Sequence, residues 1–395
     1  MKKKTYTADA FFAGVGGIEL GFKETKRVKT LYANEFDKNA GITYQLNNPD
    51  VNFDSQDIHK VQADALPDCD IMMGGFPCQA FSIAGYKKGF NDPRGTLFFE
   101  MLRMIKEKRP RITFMENVKN LASHDHGNTF FVMIQAMVLN GYYIKWQIMN
   151  AKDYGNIPQN RERIYIVGFR SKNDFDRFEF PKPVRRTKKL SDVINFGKKL
   201  PEKYYYTPEK NKYYDKLKAT ITSQKTVYQW RRKYVRENKS GIVPTLTANM
   251  GTGGSNVPLI LTDDGRIRKL TPHETFNVQG YPKDFKLPDI ANTQLYKQAG
   301  NSVVIPVIKR IARNIVKVLD DKEVENALPQ GKYALIHFKI RGKKAGQSYA
   351  VSASDDKEAI LKMVKLSNIP LYQDKDYFKA IKQDKDNEFY IVRYF

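Results

Sequence analysis

The chain has 395 residues, 41% hydrophobic and 12% aromatic, enough for two domains or for one large domain with an insertion. Its 67 Lys and Arg against 43 Asp and Glu leave a net charge of +24, which favours a polyanionic partner, nucleic acid first. Two cysteines, Cys69 and Cys78, exclude a disulfide framework and a paired-cysteine zinc site, and no apolar run reaches the roughly 20 residues of a membrane span.

The N-terminal "MKKKTYTADAFF" is apolar for only a few residues, so it does not read as a secretory leader. The five histidines show no ligand spacing across a helix, and no metal is expected. The expectation is a soluble, cytoplasmic monomer.

Short apolar runs alternate with helical patterns through the first half. "TADAFFAG" (7–14) reads as a strand and "GIELGFKET" (17–25) opens a helix. "TLYANE" and "KNAGITYQLN" repeat the pair, then "CDIMMGG", "GTLFFEMLRMIKEK" and "RITFMENV" give strand, helix and strand. "TFFVMIQAMVLN" is helical, and "YYIKWQIMNA" and "RIYIVGF" are strands. This spacing predicts a doubly wound, mostly parallel α/β sheet.

The pattern breaks near Pro181. Residues 181–260 hold 18 Lys and Arg against 5 Asp and Glu, with weak periodicity. It resumes with "TPHETFNVQGYP" and the amphipathic "SVVIPVIKRIARNIVKVL". After about residue 328, "KYALIHFKI", "QSYAVSAS" and "EFYIVRYF" read as strands and "DKEAILKMVKLS" as a helix. The expected division is a catalytic, cofactor-binding domain over 1–180 and 265–327, an inserted domain over 181–264, and a small α+β module over 328–395.

Gly14, Gly16 and Gly17 stand between the first strand and its helix. Glycines there let the backbone approach a ligand, and the helix N-terminus favours negative charge. The second strand ends "LYANEFD", placing Glu35 where a nucleoside cofactor's ribose hydroxyls are held. The dinucleotide fingerprint lacks one residue before its last glycine. That favours a mononucleoside cofactor such as S-adenosylmethionine and makes a nicotinamide oxidoreductase the weakest reading. Asp57 is expected to end a third strand and meet an adenine amino group, or simply to cap a helix.

"GGFPCQAFS" puts Cys78 in a polar, glycine-flanked loop at the carboxyl-end rim, unlike Cys69, which reads as a structural cysteine. The next strand ends "MENV", bringing Glu116 to the same rim. A cysteine nucleophile and a carboxylic acid beside a methyl donor suit methylation of cytosine at carbon 5. A thiolate on carbon 6 makes carbon 5 nucleophilic, and an acid at nitrogen 3 stabilises the charge. Arg161 and Arg163, two apart at a strand start, are expected on one face to hold the base oxygen and phosphate.

The segments "FAGVGG", "NEFD", "GFPCQAFSIAG", "RGTLFFEMLR", "MENVKNL", "NAKDYGNIPQNRERIYIVGF", "LTPHE", "QGYP" and "QAGNSVVIPV" cover residues 1–320. Together they resemble the bacterial DNA (cytosine-5) methyltransferases of restriction–modification systems. The resemblance implies that Cys78 is the nucleophile, Glu116 the acid, and Arg163, with Arg161, the base-positioning cation. It implies that Phe12, Gly14, Gly16, Gly17, Glu35, Phe36, Asp57, Ile58, Pro77, Leu97, Asn301 and Ser302 surround S-adenosylmethionine. The sequence departs from the family pattern at Ala10, where the usual aspartate stands one residue earlier as Asp9, and at Phe36, where Trp is common.

In that family the inserted segment reads DNA. Here Arg231, Arg232 and Arg236 are the candidate contacts, with Thr245 and Leu246 matching the family's threonine–leucine pair. The stretch after the cysteine, with Gln79, Ser82, Lys87, Lys88 and Arg94, is expected to close over duplex DNA around a flipped-out base. Adjacent Arg231 and Arg232 suit a GG…CC site. The alternatives are a tRNA cytosine-5 methyltransferase and an idle DNA-binding regulator. The 13 Lys and Arg against 8 Asp and Glu over 329–395 suggest an accessory role in DNA affinity.

Overall fold

The computed structural model describes residues 3–77, 97–231, 233–252 and 257–322, and five further strands between Tyr333 and Arg393. Strands β1 (Tyr6–Phe11), β2 (Val28–Asn34), β3 (Asn52–Asp54), β4 (Ile71–Gly74) and β5 (Ile112–Val118) run parallel in the order β3-β2-β1-β4-β5. The order reverses between β1 and β4, so a crevice opens at their carboxyl ends.

Both faces of this sheet are covered, and the alternation of side chains sorts them. Ala8, Ala10, Ile71 and Met73 face one core with helices α1 (Gly17–Lys23) and α10 (Ile305–Leu319). Phe11, Met72 and Met115 face the other, with α3 (Leu97–Lys108) and α4 (Asn128–Leu139). Helix α2 (Lys38–Asn47) packs Tyr44 on Phe53. In α10, Ile308, Ile311, Ala312, Ile315 and Leu319 form the buried stripe expected of an amphipathic helix.

β6 (Tyr143–Asn150) and β7 (Glu162–Phe169) depart from the parallel pattern. They are joined by residues 151–161, which hold the short helix α5 (Ala151–Tyr154), too little chain for a parallel crossover, so they pair antiparallel, and β7 is antiparallel to β5. Helix α6 (Lys172–Arg177) then packs Phe175 against Tyr143 and Phe169.

The inserted region carries α7 (Tyr214–Thr220) and a four-stranded sheet ordered β11-β10-β8-β9, from β8 (Tyr228–Arg231), β9 (Tyr234–Glu237), β10 (Leu259–Leu261) and β11 (Ile267–Lys269). This sheet runs past the boundary expected at 264, because Ile267–Lys269 pairs with Leu259–Leu261. Helices α8 (Pro272–Asn277) and α9 (Asn292–Asn301) follow.

The C-terminal strands do not stand apart. β13 (Ala345–Val351) pairs antiparallel with β6, Ala345 opposite Gln147 and Ser348 opposite Ile144. β12 (Tyr333–Lys339), β16 (Asn387–Arg393), β15 (Tyr377–Ile381) and β14 (Leu371–Asp374) follow in that order, extending one sheet to 12 strands. The helix expected over 356–367 lies outside the described residues. Among the described residues, no helix is long and apolar enough to cross a membrane.

Candidate active site

A cleft of about 630 Å³ opens at the carboxyl ends of β1, β2, β4 and β5. Its first wall is the turn after β1. Gly14 and Gly16 take left-handed φ values of 57° and 85°, and Phe12 takes 53°. That conformation costs a non-glycine residue about 1 kcal/mol or more, so the surrounding contacts hold Phe12 there. The Gly14 N–H donates to Glu35 Oε2 at 2.8 Å and the Asp37 N–H to Oε1 at 2.7 Å. Burial raises the Glu35 pKa, and these two N–H groups oppose the shift. Glu35 is therefore fixed with its carboxyl at the cleft edge.

Phe36 is next, 68% exposed, an uncovered aromatic face on the cleft rim. Asp57 lies past the end of β3 and caps the turn Ile58–Lys60, accepting from the His59 N–H at 3.1 Å. The His59 ring at 2.6 Å holds its carboxyl below the usual value. Asp57, Ile58, Pro77, Leu97, Asn301 and Ser302 all line the same cleft, as do Gly14 and Gly17. Gly16 shapes the turn without lining it. Ser302 reaches the cleft with its hydroxyl already bonded to Tyr281.

The other end of the cleft holds the acid. Val118 pairs directly with Arg163 across β5 and β7, so Glu116, two residues before Val118, is a diagonal neighbour of Arg163 on one face. Arg163 Nε lies 2.9 Å from Glu116 Oε1, and both side chains are largely buried. Burial raises the Glu116 pKa, and Arg163 and then Arg161 counter part of the shift. Asn117 Nδ2 donates to the Phe76 carbonyl at 2.8 Å, fixing the chain two residues before Cys78. Cys78, Gln79, Ser82, Lys87, Lys88 and Arg94 lie outside the described residues, as does Arg232.

Arg161 is not with Arg163 in the cleft. It precedes β7 and is fully buried, donating to the carbonyls of Leu246 at 2.9 Å and Gly300 at 3.0 Å, and to that of Ser302. Its guanidinium joins the inserted region to the end of α9, so the expected base contact is corrected to a structural one. Leu246 is likewise buried, and Thr245 donates to the Asn160 carbonyl at 2.6 Å. Gly300 allows this approach, since a Cβ there would lie 2.2 Å from the Thr247 backbone. Arg161→Ala strands three buried carbonyls and is expected to destabilise the fold by roughly 3–5 kcal/mol. Urea unfolding measures it, and a loss below about 1 kcal/mol would contradict the assignment.

Sequence reasoning missed Asn34, Asn117 and Lys297. Asn34 is buried at the cleft and donates to the carbonyls of Asp54 and Gln56. Lys297 reaches across from α9 to Asp37 at 2.6 Å. Asp9 points away from the cleft, buried beside Cys69, its carboxyl pushed up to about 7 by burial.

A parallel sheet with a strained glycine turn, a fixed carboxylate at the end of β2 and a buried acid–arginine pair form one crevice. Residues 6–317 match the C-5 cytosine-specific DNA methylase family. The chain belongs to that family.

This methyltransferase is 58% identical over 309 residues to Type II methyltransferase M.Bsp6I of Bacillus sp. strain RFL6, a match spanning 98% of that protein and 78% of this chain. It is 40% identical to Type II methyltransferase M.HhaI of Haemophilus parahaemolyticus, over 94% of that protein and 79% of this chain. Its fold matches the Entamoeba histolytica methyltransferase EhMeth with a TM-score of 0.61 at 17% identity, over 81% of this chain and 100% of that one. The methyltransferase is thus a DNA cytosine-5 methyltransferase, and its C-terminal strands lie beyond the family match.

Proposed function

We propose that the methyl donor is S-adenosylmethionine and that the substrate is a cytosine flipped out of a short site in double-stranded DNA. The observation that carries this is the single cleft with Glu35 at one end and the buried Glu116–Arg163 pair at the other. The residues fit the cofactor: Glu35 takes the ribose hydroxyls, Phe36 and Ile58 offer apolar faces to adenine, and Asp57 meets its amino group. The open space around Gly14 leaves room for the amino-acid portion. When bound, the cofactor supplies an electrophilic methyl group.

The protein's own part follows. Cys78 adds as thiolate to carbon 6, and Glu116 gives its proton to nitrogen 3, so carbon 5 becomes enamine-like. Arg163 holds Glu116 and faces the base oxygen. After methylation a water molecule takes the proton from carbon 5, Cys78 leaves carbon 6 as thiolate, and nitrogen 3 returns its proton to Glu116. Glu116 is only 7% exposed at the cleft floor, out of reach of a stacked base, which supports flipping. Glu35→Ala is expected to weaken S-adenosylmethionine about 10- to 100-fold by calorimetry, and unchanged affinity would count against this placement.

For target reading we propose the β8–β9 hairpin. Arg231 is exposed at its turn, beside Tyr234, whereas Arg236 is partly held by Gln229 at 2.6 Å. A GG…CC site requires Arg231 and Arg232 each to reach a guanine. Arg231→Ala is expected to relax preference at one base pair by about 1–3 kcal/mol, read by bisulfite sequencing of modified DNA. Uniform weakening with a shallower salt slope would instead make it a phosphate contact.

A further inference from the structure

A second groove, of about 830 Å³, lies at the opposite end of the sheet. Lys3, Lys26 and Lys182 line it together with Arg313 and Lys317 of α10. Among the described residues none of these five forms an ion pair. Arg27 and Arg310 add two more cations, and the one acid in the lining, Asp320, is bonded to Arg27 and to the Tyr6 hydroxyl. A uniformly lysine-rich surface does not explain this cluster. Outside residues 181–260 and 329–395 the net charge is only +6, and several basic side chains elsewhere in that part of the chain are paired, as in Lys309–Glu24, Lys297–Asp37 and Arg111–Asp174.

Two elements measure the distance from the catalytic cleft. β1 has 6 residues, with Thr5 before it in the groove and Phe12 after it in the cleft, a span of about 20 Å. α10 has 15 residues, with Val303 ahead of it in the cleft and Lys317 in the groove, about 22 Å of helix. The two openings face opposite ends of the sheet, so a straight duplex seated in the cleft does not reach the groove.

We propose that this groove is a second site for duplex DNA, which takes the phosphate backbone of a segment other than the one being methylated. The cations come from four separate segments, at Lys3, at Lys26 and Arg27, at Lys182 and along α10, and so many from separate segments suit a polymer better than a small anion. Arg313 and Lys317 are one helical turn apart, about 6 Å, close to two phosphate steps of ~3.4 Å each. A chain that contacts two segments at once passes directly from one to the other.

The test is stopped-flow dissociation of a short labelled duplex carrying the methylated site from the full chain, with unlabelled duplex as competitor. For the native chain the dissociation rate is expected to rise in proportion to competitor concentration, because incoming DNA binds before the outgoing segment leaves. In Lys26→Glu/Arg313→Glu/Lys317→Glu that slope is expected to fall at least about tenfold. Single-turnover methylation of the short duplex and the thermal midpoint should stay unchanged, since all three side chains are exposed. The neutral triple variant with Gln at the same positions should fall between. A native rate independent of competitor, or the same slope in the folded Glu variant, would overturn the proposal.

Discussion

Cys78→Ala is expected to abolish 5-methylcytosine formation while leaving duplex affinity within about threefold of the native chain. Cytosine carbon 5 is too weak a nucleophile to accept a methyl group until a nucleophile has added at carbon 6. Alanine offers no lone pair for that step. The described chain lines the cleft as far as Pro77: β4 ends at Gly74, Phe76 is buried, and Asn117 clamps the Phe76 carbonyl two residues before the cysteine in sequence. DNA affinity rests on charges elsewhere, so it survives. Product formation within about tenfold of native would refute covalent catalysis.

Glu116→Gln is expected to lower the methylation rate by about 10²- to 10⁴-fold, with cofactor affinity retained. Glutamine keeps the size and a donor, but it has no acidic proton for nitrogen 3. The sign of the pH effect follows from burial. A carboxyl with a raised pKa stays protonated to higher pH than an exposed glutamate, so the donor form is present below that pKa and lost as pH rises through it. The native rate should therefore fall on the alkaline side as Glu116 ionises, whereas Cys78 ionisation acts in the opposite direction. In the Gln variant the alkaline fall attributable to Glu116 should vanish. Single-turnover rates across pH separate these, and a Gln variant with native rate and profile would remove Glu116 from the chemistry.

What could be read from sequence was what depends on neighbours along the chain. The glycine turn, Glu35 at the end of β2 and Glu116 near the end of β5 each follow from alternation and strand ends. Arg161 was misplaced because spacing puts 161 and 163 on one face, whereas its guanidinium is claimed by carbonyls 85 and 139 residues away. No local pattern carries that information. Motif residues can also serve the fold alone. In "LTPHE", Thr271 caps α8 and Glu274 accepts both terminal nitrogens of the buried Arg268, at 2.7 and 2.8 Å. The pairing of β13 with β6 was equally illegible, since backbone hydrogen bonds at a sheet edge leave little mark on side-chain choice.

The most direct test is to incubate the full chain with S-adenosylmethionine labelled in its methyl group and with duplex DNA, and tRNA in parallel, then digest to nucleosides. The DNA methylase family match, with one cleft joining Glu35 to the Glu116–Arg163 pair, predicts label in 5-methylcytosine from DNA and none from tRNA. Label in N4-methylcytosine or N6-methyladenine, or in tRNA alone, would contradict it.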